Sequence, residues 1–91
     1  MNVLVLPSEL THRHARACLR MLVQGLPSQT GPAVVVDAGS LTRFDTSALA
    51  VLIEFRRESF ALGKEFVIRD LSPRLADLAK VYGVADLLMP A

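Results

Sequence analysis

Five residues, Ala33-Val34-Val35-Val36-Asp37, constrain this chain more than any others. A β-branched run this short, bounded by turn residues, reads as a buried strand. Its unbroken apolar character predicts burial on both faces, as in a sheet covered by helices. Directly behind it stands Leu41-Thr42-Arg43-Phe44-Asp45-Thr46-Ser47-Ala48-Leu49, where Asp45 is a preferred N-cap and Thr46 opens a helix. The Thr46 hydroxyl is thereby placed on a first helical turn at the carboxyl end of a strand. In an open α/β sheet, ligands and partners dock at that end. Free N–H groups and the positive end of the helix dipole there favour a phosphate or another anion.

The flanking segments repeat the alternation. Val3-Leu4-Val5-Leu6 reads as a first strand ended by Pro7. From Thr11 to Gln24, Ala15, Cys18, Leu19, Leu22 and Val23 recur on one helical face, and Gly25 and Pro27 stop the helix. The helix from Thr46 runs to about Leu62, with Gly63 as its stop. Glu65-Phe66-Val67-Ile68-Arg69 is the third strand. Ser72 caps a third helix with Pro73 in its first position; Leu75, Leu78, Ala79 and Tyr82 form its inner face, Gly83 ends it, and Asp86-Leu87-Leu88 closes the chain. Short connections between alternating strands and helices imply right-handed crossovers. The expectation is one α/β domain over residues 1–91: a small, mixed but mainly parallel sheet with helices packed on it.

Composition narrows the function classes. A hydrophobic fraction of 52% is high for 91 residues, where surface is proportionally large. Either the core is unusually well filled or a partner covers part of the apolar surface; the latter makes a homodimer in isolation credible. No apolar run approaches the roughly 18 residues of a membrane span. A net charge of +1 gives no footprint for nucleic acid or an anionic membrane. Met1 to Pro7 lacks the basic region and long apolar core of a signal peptide. One cysteine, Cys18, excludes an internal disulfide and fits a reducing, cytoplasmic compartment.

Within the helix from Thr46, apolar residues spread over roughly 200°, about twice what contact with one sheet requires. Thr46, Ala50, Ile53 and Arg57 fall on one edge of it, suited to docking a protein. The other reading places the wide arc between a sheet and a neighbouring helix. Thr46 itself serves either as a specific contact or simply as a first-turn hydroxyl. A phosphate on it would gain from the helix terminus and lose to the neighbouring Asp45.

Other constellations carry less. His14 and Cys18 share a helical face near His12, but a metal site needs further ligands and a catalytic thiol needs an open, electropositive site. Asp37 reads as a turn residue and Asp45 as a cap. Arg13, Arg16 and Arg20 make a solvated basic stripe. No glycine-rich phosphate loop is present, and no acid, base and nucleophile set is assembled; neither a catalytic centre nor a metal or cofactor is expected.

The strand ending in Asp37, the loop, and Asp45-Thr46-Ser47-Ala48-Leu49 resemble the signature of STAS domains, the sulphate-transporter and anti-sigma-factor-antagonist modules. The likeness continues through Gly63-Lys64, the strand Phe66 to Arg69, and Val81-Tyr82-Gly83-Val84-Ala85-Asp86-Leu87-Leu88. Within that family the chain looks most like the small stand-alone STAS subunits of Mla-type phospholipid-transport ABC systems, whose pattern of Arg two residues before the motif's Asp is echoed by Arg43. Ala48 replaces the family's usual Gly, and the short amino terminus leaves room for the family's first strand to be missing, with an exposed sheet edge. The resemblance implies a non-enzymatic subunit that binds the cytoplasmic ATPase of the transporter and is peripheral to the inner membrane through that partner. Thr46 is then the central contact, with Asp45, Ser47, Ala50, Ile53 and Arg57 around it. The alternative it implies is an anti-sigma-factor antagonist, bound to a kinase and released when Thr46 is phosphorylated.

Overall fold

Pro7 divides the amino-terminal extended segment in two, and that division shapes the whole sheet. The computed structural model describes residues 3–89. Before Pro7, β1 (Leu4–Val5) pairs in parallel with β3 (Ala33–Asp37), Leu4 opposite Val36. After it, β2 (Glu9–Leu10) pairs in parallel with β4 (Arg43–Phe44), Glu9 opposite Arg43. Proline has no N–H to give a ladder, so the extended chain changes partner there. On the other side of β3 lies β5 (Glu65–Arg69), paired in parallel over its whole length, Val35 opposite Val67. The main sheet therefore runs β1-β3-β5, and every pair among the described residues is parallel. The α/β expectation holds, with an all-parallel sheet and open edges.

Helix α1 (Ala15–Gly25) connects β1–β2 to β3, and α2 (Thr46–Ala61) connects β4 to β5. Helices α3 (Pro73–Val81) and α4 (Ala85–Leu88) follow. Two successive right-handed crossovers moving the same way across a sheet put their helices on the same face, and α1 packs against α2 accordingly. This corrects the expectation that β3 is buried on both faces. Val34 and Val36, beneath the helices, are fully buried, whereas Ala33, Val35 and Asp37 on the opposite face are only half-buried.

Phe55 of α2 is fully buried at the centre of the core and meets Phe66 of β5 edge-to-face, with ring centroids 6.1 Å apart. Ala48, Leu49, Val51, Leu52 and Ser59 complete the buried face of α2. Sheet and α1 together occupy most of the wide apolar arc, the second of the two readings above. Phe60 and Leu62 stay exposed at its far end, with the Arg56 guanidinium lying over the Phe60 ring.

Three boundaries differ from expectation. Residues 11–14 form a turn ahead of α1 in place of its first helical turn, because Glu9 and Leu10 are drawn into a strand and His12 is drawn to Asp45. The helix also keeps Gly25 and tightens into a 3₁₀ turn over Leu26–Ser28. Tyr82 is exposed and not on the inner face of α3. Gly83, at φ +73°, turns the chain back with Val84 N–H bonded to the Ala79 carbonyl, and Leu88 of α4 takes up the core position.

Candidate functional site

The start of α2 is held from three directions. Asp45 stands in extended conformation as N-cap, and its Oδ1 accepts the Ser47 N–H at 2.8 Å. Its Oδ2 accepts the His12 backbone N–H at 3.0 Å and lies 3.3 Å from His12 Nδ1. The Thr42 and Arg43 amides both donate to the Ser8 carbonyl, at 2.9 and 3.0 Å, and the Thr42 hydroxyl does so at 3.2 Å. Glu9 on β2 reaches Arg43 Nη1 and His14 Nε2, both at 3.5 Å. The short β2–β4 ladder and the Asp45–His12 contacts thus fasten the turn before α1 to the N-cap of α2.

The His12 amide, helped by Ser47 and opposed by a smaller desolvation effect, holds the Asp45 pKa down to about 2 from an ordinary 3.8. Because the folded value lies below the unfolded one, the ionised form stabilises the fold fully above about pH 4. That contribution is lost as pH falls towards about 2. An Asp45→Asn variant should lack this step, so its melting temperature and that of the parent should converge between pH 4 and 2. Thermal melts of both across that range check this, and a gap unchanged by pH would contradict it.

Beside the cap, Thr46 is exposed and its hydroxyl makes no hydrogen bond among the described residues. It lines an open hollow with Phe44, Asp45, Arg74, Asp77 and Leu78. Arg74 of α3 lies over the Phe44 ring at 5.0 Å, so a fixed cation faces the helix start across that hollow. Of the other expected contacts, Ala50 and Arg57 are exposed, while Asp45, Ser47 and Ile53 are half-buried. Arg57 is engaged by Glu54 at 3.1 Å. Ala50 also borders an apolar groove between α1 and α2, formed with Ala15, Leu19 and Val51 and flanked by Arg16 and Glu54. Thr46, Ala50, Ile53 and Arg57 therefore share one edge of α2, as their spacing predicts.

His12, His14 and Cys18 are not brought together. His12 turns to Asp45, and His14 to Glu9 and to the Thr11 hydroxyl at 3.1 Å. Cys18 is buried, and burial pushes its thiol pKa up, away from the thiolate. Asp37 accepts the Gly39 N–H at 2.8 Å as a turn residue. Arg13, Arg16 and Arg20 are exposed along α1 and the turn before it. Among the described residues, no three His, Cys, Asp or Glu side chains are grouped to hold a metal, and no helix is long and apolar enough to cross a membrane.

The contact at this candidate site that the sequence did not reveal is His12 on Asp45. The two lie 33 positions apart, and neither residue type signals the other.

A family model described as "Mlab, STAS domain" matches residues 2–90. A search of curated proteins gives no match.

Proposed function

The chain belongs to the STAS domain family, and on that footing we propose that it is a non-enzymatic docking subunit for the cytoplasmic ATPase of an Mla-type phospholipid-transport ABC transporter. What carries this reading is Thr46: an exposed hydroxyl without a hydrogen-bond partner among the described residues, on a helix start fixed by its own cap and by contacts from residues 8–12. A contact group held this rigidly loses little conformational entropy on binding. Along the same edge, Ala50 lets a partner approach closely, and the Glu54–Arg57 pair supplies polar rim contacts. The groove between α1 and α2 adds an apolar surface beside them.

The alternative, an antagonist switched by phosphorylation of Thr46, uses the same surface. The ionised Asp45 does not separate the two, because a phosphate on Thr46 would lose to that charge and gain from the helix terminus. Affinity co-purification from the native host, with mass spectrometry of the partner and of Thr46, separates the two. An ABC ATPase with unmodified Thr46 is the expected result. A kinase co-purifying with phosphothreonine at position 46 would replace this reading with the antagonist.

A further inference from the structure

The two edges of the main sheet are unlike. β1 is two residues long and stopped by Pro7, a blunt edge of the kind that resists pairing. β5 is five residues long, with no proline or glycine, and no strand among the described residues pairs with its outer side. Glu65 N–H donates to the Pro32 carbonyl at 2.9 Å and the Arg69 carbonyl accepts from Ala38 N–H at 2.8 Å. In a parallel ladder this means that residues 65, 67 and 69 bond to β3, so the N–H and C=O groups of Phe66 and Ile68 point outwards. Lys64, just ahead of this edge, is turned back onto the Gly31 carbonyl at 2.7 Å, which leaves Glu65 and Arg69 as the charged side chains of β5. Phe66 and Ile68 are only half-buried, whereas their partners Val34 and Val36 on β3 are fully buried.

We propose that the β5 edge is a homodimer seam, in which two copies pair their β5 strands antiparallel about a two-fold axis at Val67. The sequence Glu65-Phe66-Val67-Ile68-Arg69 is self-complementary in that register. Phe66 falls opposite Ile68 of the second copy, and these are the residues whose backbone groups point outwards, so the antiparallel hydrogen-bonded pairs form without a slip. Val67 meets Val67 as the non-bonded pair between them, where side chains come closest. On the open face of the sheet, each Glu65 falls opposite an Arg69. Neither residue has an ion-pair partner within the monomer among the described residues. The shared surface is isologous and closes on itself, giving one continuous six-stranded sheet that ends at the two β1 edges. The α2 edge bearing Thr46 takes no part in the strand pairing.

Sedimentation equilibrium on the full chain, with charge-swap variants, tests the seam. The parent should show a mass twice its 9.9 kDa. Glu65→Arg and Arg69→Glu, each folded by circular dichroism, should dimerise at least about ten-fold more weakly, because each sets two like charges across the seam. An equimolar mixture of the two variants should recover parental dimerisation, since a strand carrying only arginines at its two ends then faces a strand carrying only glutamates. A parent that stays monomeric at its highest soluble concentration overturns the proposal and leaves the edge to a different chain. So does a single variant that dimerises like the parent, or a mixture that fails to recover.

Discussion

A Thr46→Glu variant is expected to fold and melt like the parent yet bind the proposed partner, an ABC ATPase, at least about ten-fold more weakly. Folding is spared because Thr46 is exposed and its side chain holds nothing in place among the described residues. A carboxylate in a first helical turn is also favourable towards the helix dipole. The adjacent Asp45 is already ionised, with its pKa near 2, and has taken up the Ser47 and His12 donors. A second carboxylate therefore adds a further charge beside Asp45, and docking would have to strip it of water and draw it away from Arg74 across the hollow. Thr46→Ser, which keeps the hydroxyl, should bind like the parent. Calorimetric titration of the purified ATPase with the three proteins gives the comparison. Equal affinity of the Glu variant would remove this end of α2 from the interface.

The second large effect concerns the core that keeps α2 in place. Phe55→Ala should destabilise the domain by about 3–5 kcal/mol, because it empties a fully buried site and ends the edge-to-face contact with Phe66. For 91 residues, total stability is of order 5–14 kcal/mol, so much of it would be lost. Urea denaturation should show a lower midpoint with an unchanged slope. Phe60→Ala, five positions along the same helix, should cost about 1 kcal/mol or less, since that ring is already 47% exposed and lies under the Arg56 guanidinium. Similar losses for both variants would contradict the packing described here.

These two phenylalanines mark the limit of what periodicity reveals. Both fall on the apolar arc of α2, and spacing alone does not separate them. Only the sheet and α1, closing on one side, select Phe55 for the interior. Similarly, β3 and β5 were legible residue by residue, because runs of β-branched and aromatic residues between turn signals leave little else to form. The caps at Asp45 and Ser72 and the stops at Gly63 and Gly83 were legible too, since each satisfies local backbone geometry. The two-residue strands β2 and β4 were not. Glu9-Leu10 and Arg43-Phe44 carry no strand signal of their own and are strands because each finds the other.

The same division runs through the candidate site. By itself the sequence determined that Thr46 opens a helix behind a strand, with Asp45 as its cap and Ala50, Ile53 and Arg57 along one edge. Those properties depend on neighbours within a turn or two. The tertiary structure alone decided that His12 would lock Asp45 and that Arg74 would face Thr46 across a hollow. It also decided that one face of the sheet would stay partly exposed and that, among the described residues, no strand would pair with the outer side of β5. Each of these depends on segments far apart in sequence, brought together by two right-handed crossovers, and no local preference encodes which side of β3 each neighbouring strand takes.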